Sequence, residues 1–255
     1  MRLIAEAGDR LAAAGVERGE ANKLWRLAEE TGQDFQSLVG RRLNREPFSH
    51  IAGYRDFWKH RFRVTPDVLD PRPDTETLVQ LALEAPFSKV LDLGTGSGCI
   101  LISLLAERPG ARGVGTDMSE KAVLLAGENA AEIGVVDRLV LPLSDWFADV
   151  GGRYDLIVSN PPYITAGEMA KLAPEVQQFE PRVALTDEAD GLTAYRAIAA
   201  GAPDHLTPGG RLLVEIGPTQ ARAVSEIFVA AGLADVTIHP DLDGRDRVVA
   251  ACLAR

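Results

Sequence analysis

The sequence predicts an α/β protein: a doubly wound, mostly parallel sheet with one antiparallel strand, preceded by a small helical domain. Three observations predict it. Residues 1–50 carry only helical periodicity, the middle of the chain alternates short apolar strands with helices, and the chain closes on two strands joined by a turn holding Asp243-Gly244. Those last strands lie too close for a helical crossover, so they should pair antiparallel.

With 255 residues, 46% hydrophobic and 25% charged, the chain can bury a core without disulfides or a structural metal. A formal net charge of −10 argues against a surface that tracks nucleic-acid phosphate. The charge is uneven: Arg41 to Arg63 holds seven Lys or Arg against two acids. That run reads either as a docking face for an acidic or RNA-bearing partner or as a solvated face whose charges pair locally. Cys99 and Cys252 lie far apart in apolar runs with no CxxC spacing. They read as buried thiols in a reducing cytoplasm, and no metal is expected. No run is long enough to cross a bilayer, so the expected location is cytoplasmic and a monomer is the default.

The elements follow in order. Leu3, Ile4, Ala7 and Leu11 fit one helical face, and Leu24, Trp25, Leu27 and Ala28 another. Gly15 and Gly32 are stops, and Asp34 caps a third helix holding Phe35, Leu38 and Val39. Tyr54 to Val64 is aromatic and alternating, as in a short hairpin. Pro66, Pro71 and Pro73 then fix an extended linker, after which Asp74 should cap a helix. The division is therefore 1–50 helical, 51–75 hairpin and linker, and 76–255 the main domain. Strands are expected at Lys89–Leu93, Gly113–Thr116, Leu139–Leu143, Asp155–Ser159, Arg211–Ile216, Ala234–His239 and Arg247–Leu253. Helices are expected at Cys99–Glu107, Ser119–Ile133, Thr193–His205 and Thr219–Ala231.

The first chemical motif is Val90-Leu91-Asp92-Leu93-Gly94-Thr95-Gly96-Ser97-Gly98. A strand entering a glycine turn and then a helix lets the backbone approach a ligand at the sheet's C-terminal edge. The spacing is G-x-G-x-G, which differs from the dinucleotide fingerprint. Asp92 would repel a phosphate but could hold a cationic amino-acid group, which suits S-adenosylmethionine. Asp117 ends the next strand 23 residues after Gly94, where a forked carboxylate can take both ribose hydroxyls. Asp145-Trp146 follows the third strand and could hold the adenine edge and face, though Asp145 could equally cap a helix. A glycine turn alone could also be a tight strand–helix bend.

The second motif is Ser159-Asn160-Pro161-Pro162-Tyr163, directly after an apolar strand. Two prolines fix the backbone and remove two donors, leaving carbonyls free to accept. With the Asn160 side-chain carbonyl they can grip both hydrogens of a planar –NH2 group. An amide nitrogen is a poor nucleophile because its lone pair is delocalised. Acceptors on both N–H bonds pull it toward a tetrahedral geometry and aim it at an electrophilic methyl. Tyr163 can stack on the planar group. By itself the motif could also be a rigid turn.

The two motifs together resemble those of class I methyltransferases acting on exocyclic or amide nitrogens, which have a Rossmann-like sheet. Pro47 to Gly53, Tyr54-Arg55-Asp56-Phe57-Trp58, Phe62-Arg63-Val64, Pro71-Arg72-Pro73-Asp74-Thr75-Glu76, Glu180-Pro181-Arg182-Val183-Ala184-Leu185, Asp190-Gly191-Leu192 and Gly244-Arg245-Asp246-Arg247 narrow the resemblance to the peptide chain release factor N5-glutamine methyltransferases. Asp70 departs from the family's apolar residue before P-R-P. The resemblance implies transfer of a methyl group from S-adenosylmethionine, leaving S-adenosylhomocysteine, to the glutamine of the Gly-Gly-Gln loop of class I release factors. It implies that Gly94, Thr95, Gly96, Ser97, Gly98, Asp117, Trp146 and Asn160 bind the cofactor. Asn160, Pro161, Pro162 and Tyr163 would bind the glutamine amide and form the catalytic set, with the helical domain recognising the partner. Direct nucleic-acid binding is not expected. Two alternatives use the same motifs: a DNA or RNA N-methyltransferase acting on adenine N6 or guanine N2, and a non-catalytic S-adenosylmethionine-binding assembly factor.

Overall fold

The computed structural model describes residues 1–255. Four helices open the chain: α1 (Arg2–Ala13), α2 (Glu20–Thr31), α3 (Phe35–Leu43) and α4 (Phe48–Ala52). Ala7 and Leu11, Leu24 and Leu27, Leu38 and Val39, and Ile51 close on one another as a small separate core. Gly32, with φ 72°, ends α2 in the left-handed conformation, and the Asp34 carboxylate accepts from the Ser37 N–H at 2.7 Å to start α3. The five-residue α4 was not foreseen, because one turn and a half carries no readable period.

Strands β1 (Tyr54–Phe57) and β2 (His60–Arg63) pair antiparallel across a two-residue turn. Phe57 and Phe62 pack edge to face at 6.1 Å and share a core with Leu78, Val90 and Leu101. Burying each ring contributes roughly 2–3 kcal/mol, so the hairpin is anchored on the main body. Beyond the linker, a 3-10 turn at Pro73–Thr75 runs into α5 (Glu76–Leu83). The expected Asp74 cap is not made. Thr75 is the flanking residue of α5, and the Asp74 carboxylate instead faces Arg247, 3.0 Å away, and Arg245 at 3.6 Å.

The alternating region gives β3 (Lys89–Leu93), α6 (Cys99–Glu107), β4 (Arg112–Thr116), α7 (Glu120–Ile133), β5 (Leu139–Val140), β6 (Tyr154–Ser159), α8 (Pro174–Phe179), α9 (Thr193–His205), β7 (Leu206–Glu215), α10 (Ala221–Ala230), β8 (Ala234–Pro240) and β9 (Asp246–Cys252). The sheet order is β5-β4-β3-β6-β7-β9-β8. Every neighbouring pair is parallel except the two that β9 makes. Side-chain alternation fills both faces: Val90 joins Leu101, Leu104 and Val79 on one, while Leu91 joins Tyr195, Ile198 and Phe228 on the other.

Three expectations are corrected. The third strand is laddered only at Leu139–Val140, with a single further bridge between Leu143 and Asp117. β7 begins at Leu206 rather than Arg211, because a register shift opposite Tyr154 and Leu156 accommodates Pro208-Gly209-Gly210. Cys99 is buried, but Cys252 is half-exposed and its thiol donates to the Asp235 carboxylate at 3.2 Å.

The basic run resolves toward local pairing. Arg41 pairs with Glu46, Arg42 with Glu20 and Glu175, Arg45 with Glu175, and Arg55 with Asp70. Lys59 pairs with Glu107, Arg61 with Asp56 and Arg63 with Glu128. The exposed pairs among them, Arg61 with Asp56 and Arg63 with Glu128, are each worth about 0.2–1 kcal/mol, whereas Arg42 is buried and its two carboxylate partners compensate its charge. No helix is long and apolar enough to cross a membrane.

Candidate functional site

The chain leaves β3 outward to β4 and β5, then returns to β6 on the other side of β3. That reversal opens a crevice beyond the carboxyl ends of β3 and β6, where doubly wound sheets place ligands. An open cleft lies there. Gly94, Thr95, Gly96 and Ser97 form its floor, Asp117, Met118, Ser144, Asp145 and Trp146 one wall, and Asn160 and Pro162 the other.

The floor is held by its own polar groups. Gly94, Gly96 and Gly98 have φ of 71°, 56° and 80°. A Cβ at Gly94 or Gly96 would meet nothing within 4 Å, so these two face open space. At Gly98 it would lie 2.6 Å from Ile102 Cδ1, so this glycine serves packing and does not line the cleft. The Gly96 N–H donates to Asp117 Oδ2 and the Ser119 N–H to Oδ1, each at 2.9 Å. Both oxygens keep a second lone pair for a ligand on the cleft side.

Asp92 does not line the cleft. It is fully buried and accepts from the Thr95 hydroxyl at 2.7 Å. Burial, with the nearby Asp117 carboxylate, pushes its carboxyl up to about 7 against the opposing Thr95 hydrogen bond. A positioning role for the turn follows, in place of direct contact with a cationic ligand. Trp146 lines the wall in the left-handed conformation, φ 48°. Its carbonyl accepts from the Ser144 hydroxyl at 3.2 Å, and the Ser144 N–H donates to the Asp117 carbonyl at 2.9 Å.

On the opposite wall, the Ser159 hydroxyl donates to the Leu93 carbonyl at 2.7 Å, locking the end of β6 to the end of β3. The Asn160 side-chain N–H donates to Thr75 Oγ1 at 3.2 Å. Its Oδ1 is buried with no hydrogen-bond partner. Pro161 is buried, and Tyr163 packs against the core containing Tyr195 and Val214. Neither is among the lining residues. Burial, with the charge of Glu215, pushes the Tyr163 hydroxyl up to about 12.

Motif reading left out the lid side of the cleft: Asp67 to Arg72, Thr75, and Pro181, Val183 and Ala184. These come from the linker and from the segment after Tyr163, and Arg72 is ion-paired with Glu180 across them. The P-R-P-D-T-E and E-P-R-V-A-L stretches were the available signal, since both carry the family resemblance. Asp70, the departure before P-R-P, is buried on this side and faces Arg55 at 3.9 Å.

The family model described as methyltransferase small domain matches residues 68–177. A release factor glutamine methyltransferase of Cereibacter sphaeroides is 60% identical over 227 residues, covering 89% of this chain and 82% of that protein. The chain belongs to the release factor glutamine methyltransferase family. A second member, from Caulobacter vibrioides, is 45% identical over 245 residues, covering 93% of this chain and 84% of its own length. Among solved structures, a methyltransferase from Pyrococcus furiosus superposes with a TM-score of 0.58 at 16% identity, covering 86% of this chain and 98% of that one, which shows the shared fold.

Proposed function

We propose that this protein transfers the methyl group of S-adenosylmethionine to the side-chain amide nitrogen of the glutamine in the Gly-Gly-Gln loop of class I release factors. The observation that carries the reading is the unpartnered Asn160 Oδ1 on the cleft wall, in a chain 60% identical to a release factor glutamine methyltransferase. The residues present fit the cofactor. The glycine turn leaves room for it, and the Asp117 carboxylate has lone pairs free for the ribose hydroxyls. The Trp146 side of the cleft suits the adenine, and Thr95, Ser97 and Gly98 shape the turn. S-adenosylmethionine supplies an electrophilic methyl on a cationic sulfur.

The chain's own residues do the remaining work. Asn160 Oδ1 accepts one N–H of the glutamine amide, and the Pro161 backbone, with no N–H of its own, leaves a carbonyl for the other. Held this way, the nitrogen lone pair points away from the amide plane and toward the methyl. The product nitrogen sheds its proton to water once the cationic charge has passed to it. Pro162, which lines the cleft, backs the planar group, and Tyr163, packed against the core, fixes the backbone of the grip. The acceptors supply orientation and charge stabilisation, and no strong base is required.

Residues 1–50 are assigned to partner recognition. They are fastened to the cleft's lid segment through Arg42 and Arg45 on Glu175, so a release factor seated on the helices lies beside the cleft. The basic run that would favour a nucleic-acid substrate is spent in ion pairs. Incubation with labelled S-adenosylmethionine, release factor, DNA and RNA separates the readings. Label on the release factor supports the proposal, and label on nucleic acid with none on the factor overturns it.

A further inference from the structure

The residues from Asn160 to Tyr163 hang between two anchors. At one end the Ser159 hydroxyl donates to the Leu93 carbonyl at 2.7 Å, and at the other the Ile164 N–H donates to the Leu185 carbonyl at 2.9 Å. No backbone–backbone hydrogen bond falls between them, because this strap has left the sheet and two of its residues are prolines. Side chains therefore set its path. Asn160 reaches out to Thr75, and one side chain reaches in: Gln220 Nε2 donates to the Tyr163 carbonyl at 2.9 Å.

Gln220 flanks the start of α10, where a side chain ordinarily caps the free N–H groups of its own helix. Its side chain caps nothing in α10. Oε1 accepts from the Gly217 N–H at 2.9 Å, and Nε2 is shared between the carbonyl of Tyr163 and that of Gly191, the latter at 3.1 Å. The two ends of a carboxamide can exchange when the neighbours allow it. Here backbone groups decide the orientation: one N–H that can only donate and two carbonyls that can only accept.

The glycines on either side show how closely this clamp is fitted. A Cβ at Gly191, where φ is 72°, would collide with the Tyr163 carbonyl oxygen and lie 2.9 Å from Gln220 Nε2. One at Gly217 would lie 3.0 Å from Gln220 Oε1 and 3.3 Å from Tyr163 Cδ2. The Asp187 carboxylate accepts from the Gly191 N–H at 3.0 Å and holds that turn in place. The Asp190-Gly191-Leu192 stretch thereby gains a physical reason, since only glycine lets the chain press against the strap.

We propose that Gln220 is a positioning residue: its carboxamide, seated against Gly191 and Gly217, holds the Tyr163 carbonyl and so sets where Asn160 and Pro161 present their acceptors to the substrate amide. The inference rests on the glutamine-methylation reading above. Gln220 does not line the cleft, so it acts only through the strap. The prolines have fixed φ, and a displacement at Tyr163 is passed along the strap instead of being absorbed in it. The acceptors count most as positive charge builds on the substrate nitrogen, so the loss falls on kcat more than on binding.

The test is steady-state methylation of a release factor by wild type, Gln220→Met and Gln220→Glu from pH about 5.5 to about 8.5. Cofactor affinity is followed by calorimetry and folding by thermal unfolding. Gln220→Met keeps the length of the side chain without its donors, and its kcat falls about tenfold or more while release-factor KM and cofactor Kd move less than about threefold. In Gln220→Glu an ionised carboxylate faces two carbonyls with no proton to give, whereas a protonated one regains a donor. Its kcat relative to wild type therefore climbs as pH falls, and the Gln220→Met ratio stays level. The inference is overturned if the wild type methylates the factor while folded Gln220→Met keeps kcat within about twofold, or loses only in KM or Kd. A Gln220→Glu ratio that stays level across pH overturns it equally, and decides the matter if Gln220→Met does not fold. A wild type that never labels the factor contradicts the function reading instead, so the two failures are distinct.

Discussion

The carboxylate of Asp117 holds the backbone N–H of Gly96 at 2.9 Å, tying the end of β4 to the glycine turn that follows β3. One side chain thereby shapes the floor of the cleft and presents its remaining lone pairs to whatever occupies it. Asp117→Ala removes both functions. A charged hydrogen bond is worth about 1.5–3 kcal/mol, so cofactor Kd should rise about tenfold to a hundredfold by calorimetry. An unchanged Kd contradicts the ribose assignment.

Gly96 and Gly98 make opposite demands although both have positive φ. Gly98→Ala drives a methyl to 2.6 Å from Ile102 and 3.2 Å from the Ala126 side chain, besides its φ of 80°. A loss of roughly 2–4 kcal/mol in unfolding free energy is expected by urea denaturation. Gly96→Ala meets no atom within 4 Å and should cost only about 1 kcal/mol, yet its methyl enters the cleft and should weaken cofactor binding. Equal destabilisation of the two variants would refute the division between packing glycine and cleft glycine.

Asn129 carries a structural duty that reaches the site. It is fully buried, donates to the carbonyls of Ser97 at 2.8 Å and Arg63 at 3.1 Å, and accepts from the Arg63 N–H at 2.8 Å. Asn129→Ala strands three backbone groups between hairpin and glycine turn. Each buried unsatisfied group costs about 1–3 kcal/mol, so a loss of roughly 3 kcal/mol or more is expected, with weakened cofactor binding. Thermal unfolding within a degree or two of wild type would show that the hairpin does not depend on it.

Stability should fall as pH rises from about 4 to about 7. Asp92 and Glu215 both have carboxyl groups raised by burial to about 7 in the folded chain. Between the ordinary carboxyl range and 7 the folded state binds more protons than the unfolded one, so their contribution is full below that window and is lost as pH climbs through it. Asp187 acts in the reverse sense. Against the opposing burial, the Thr193 side chain and the backbone N–H groups of Thr193, Ala189 and Gly191 hold its carboxyl down at about 2, so its contribution disappears as pH falls below 4 toward 2. Denaturation across pH in Asp92→Asn should show a shallower fall in stability between pH about 4 and about 7 than wild type. An identical slope would remove Asp92 from the account.

Which features were legible follows from how local their causes are. The glycine turn, the strand before it and the helix Cys99–Glu107 stood in the sequence because a sheet-to-helix bend needs those residues in consecutive order. The antiparallel closure of β8 and β9 was legible because a short turn leaves no other pairing. Asp74 was misread as a cap because its true partner, Arg247, lies far along the chain and local spacing cannot report it. The ion pairs of the basic run were among the open possibilities, and contacts such as Arg42 with Glu175 join residues too far apart in the chain for local spacing to report them.

The most direct measurement is tandem mass spectrometry of an unmethylated release factor after reaction with S-adenosylmethionine, comparing wild type with Asn160→Ala and with a factor whose loop glutamine is alanine. The account predicts one methyl on the glutamine side-chain nitrogen with wild type, none on the alanine factor, and a rate lower by about a thousandfold with Asn160→Ala while cofactor Kd stays within several-fold. A methyl on any other residue, or near-normal turnover by Asn160→Ala, would contradict it.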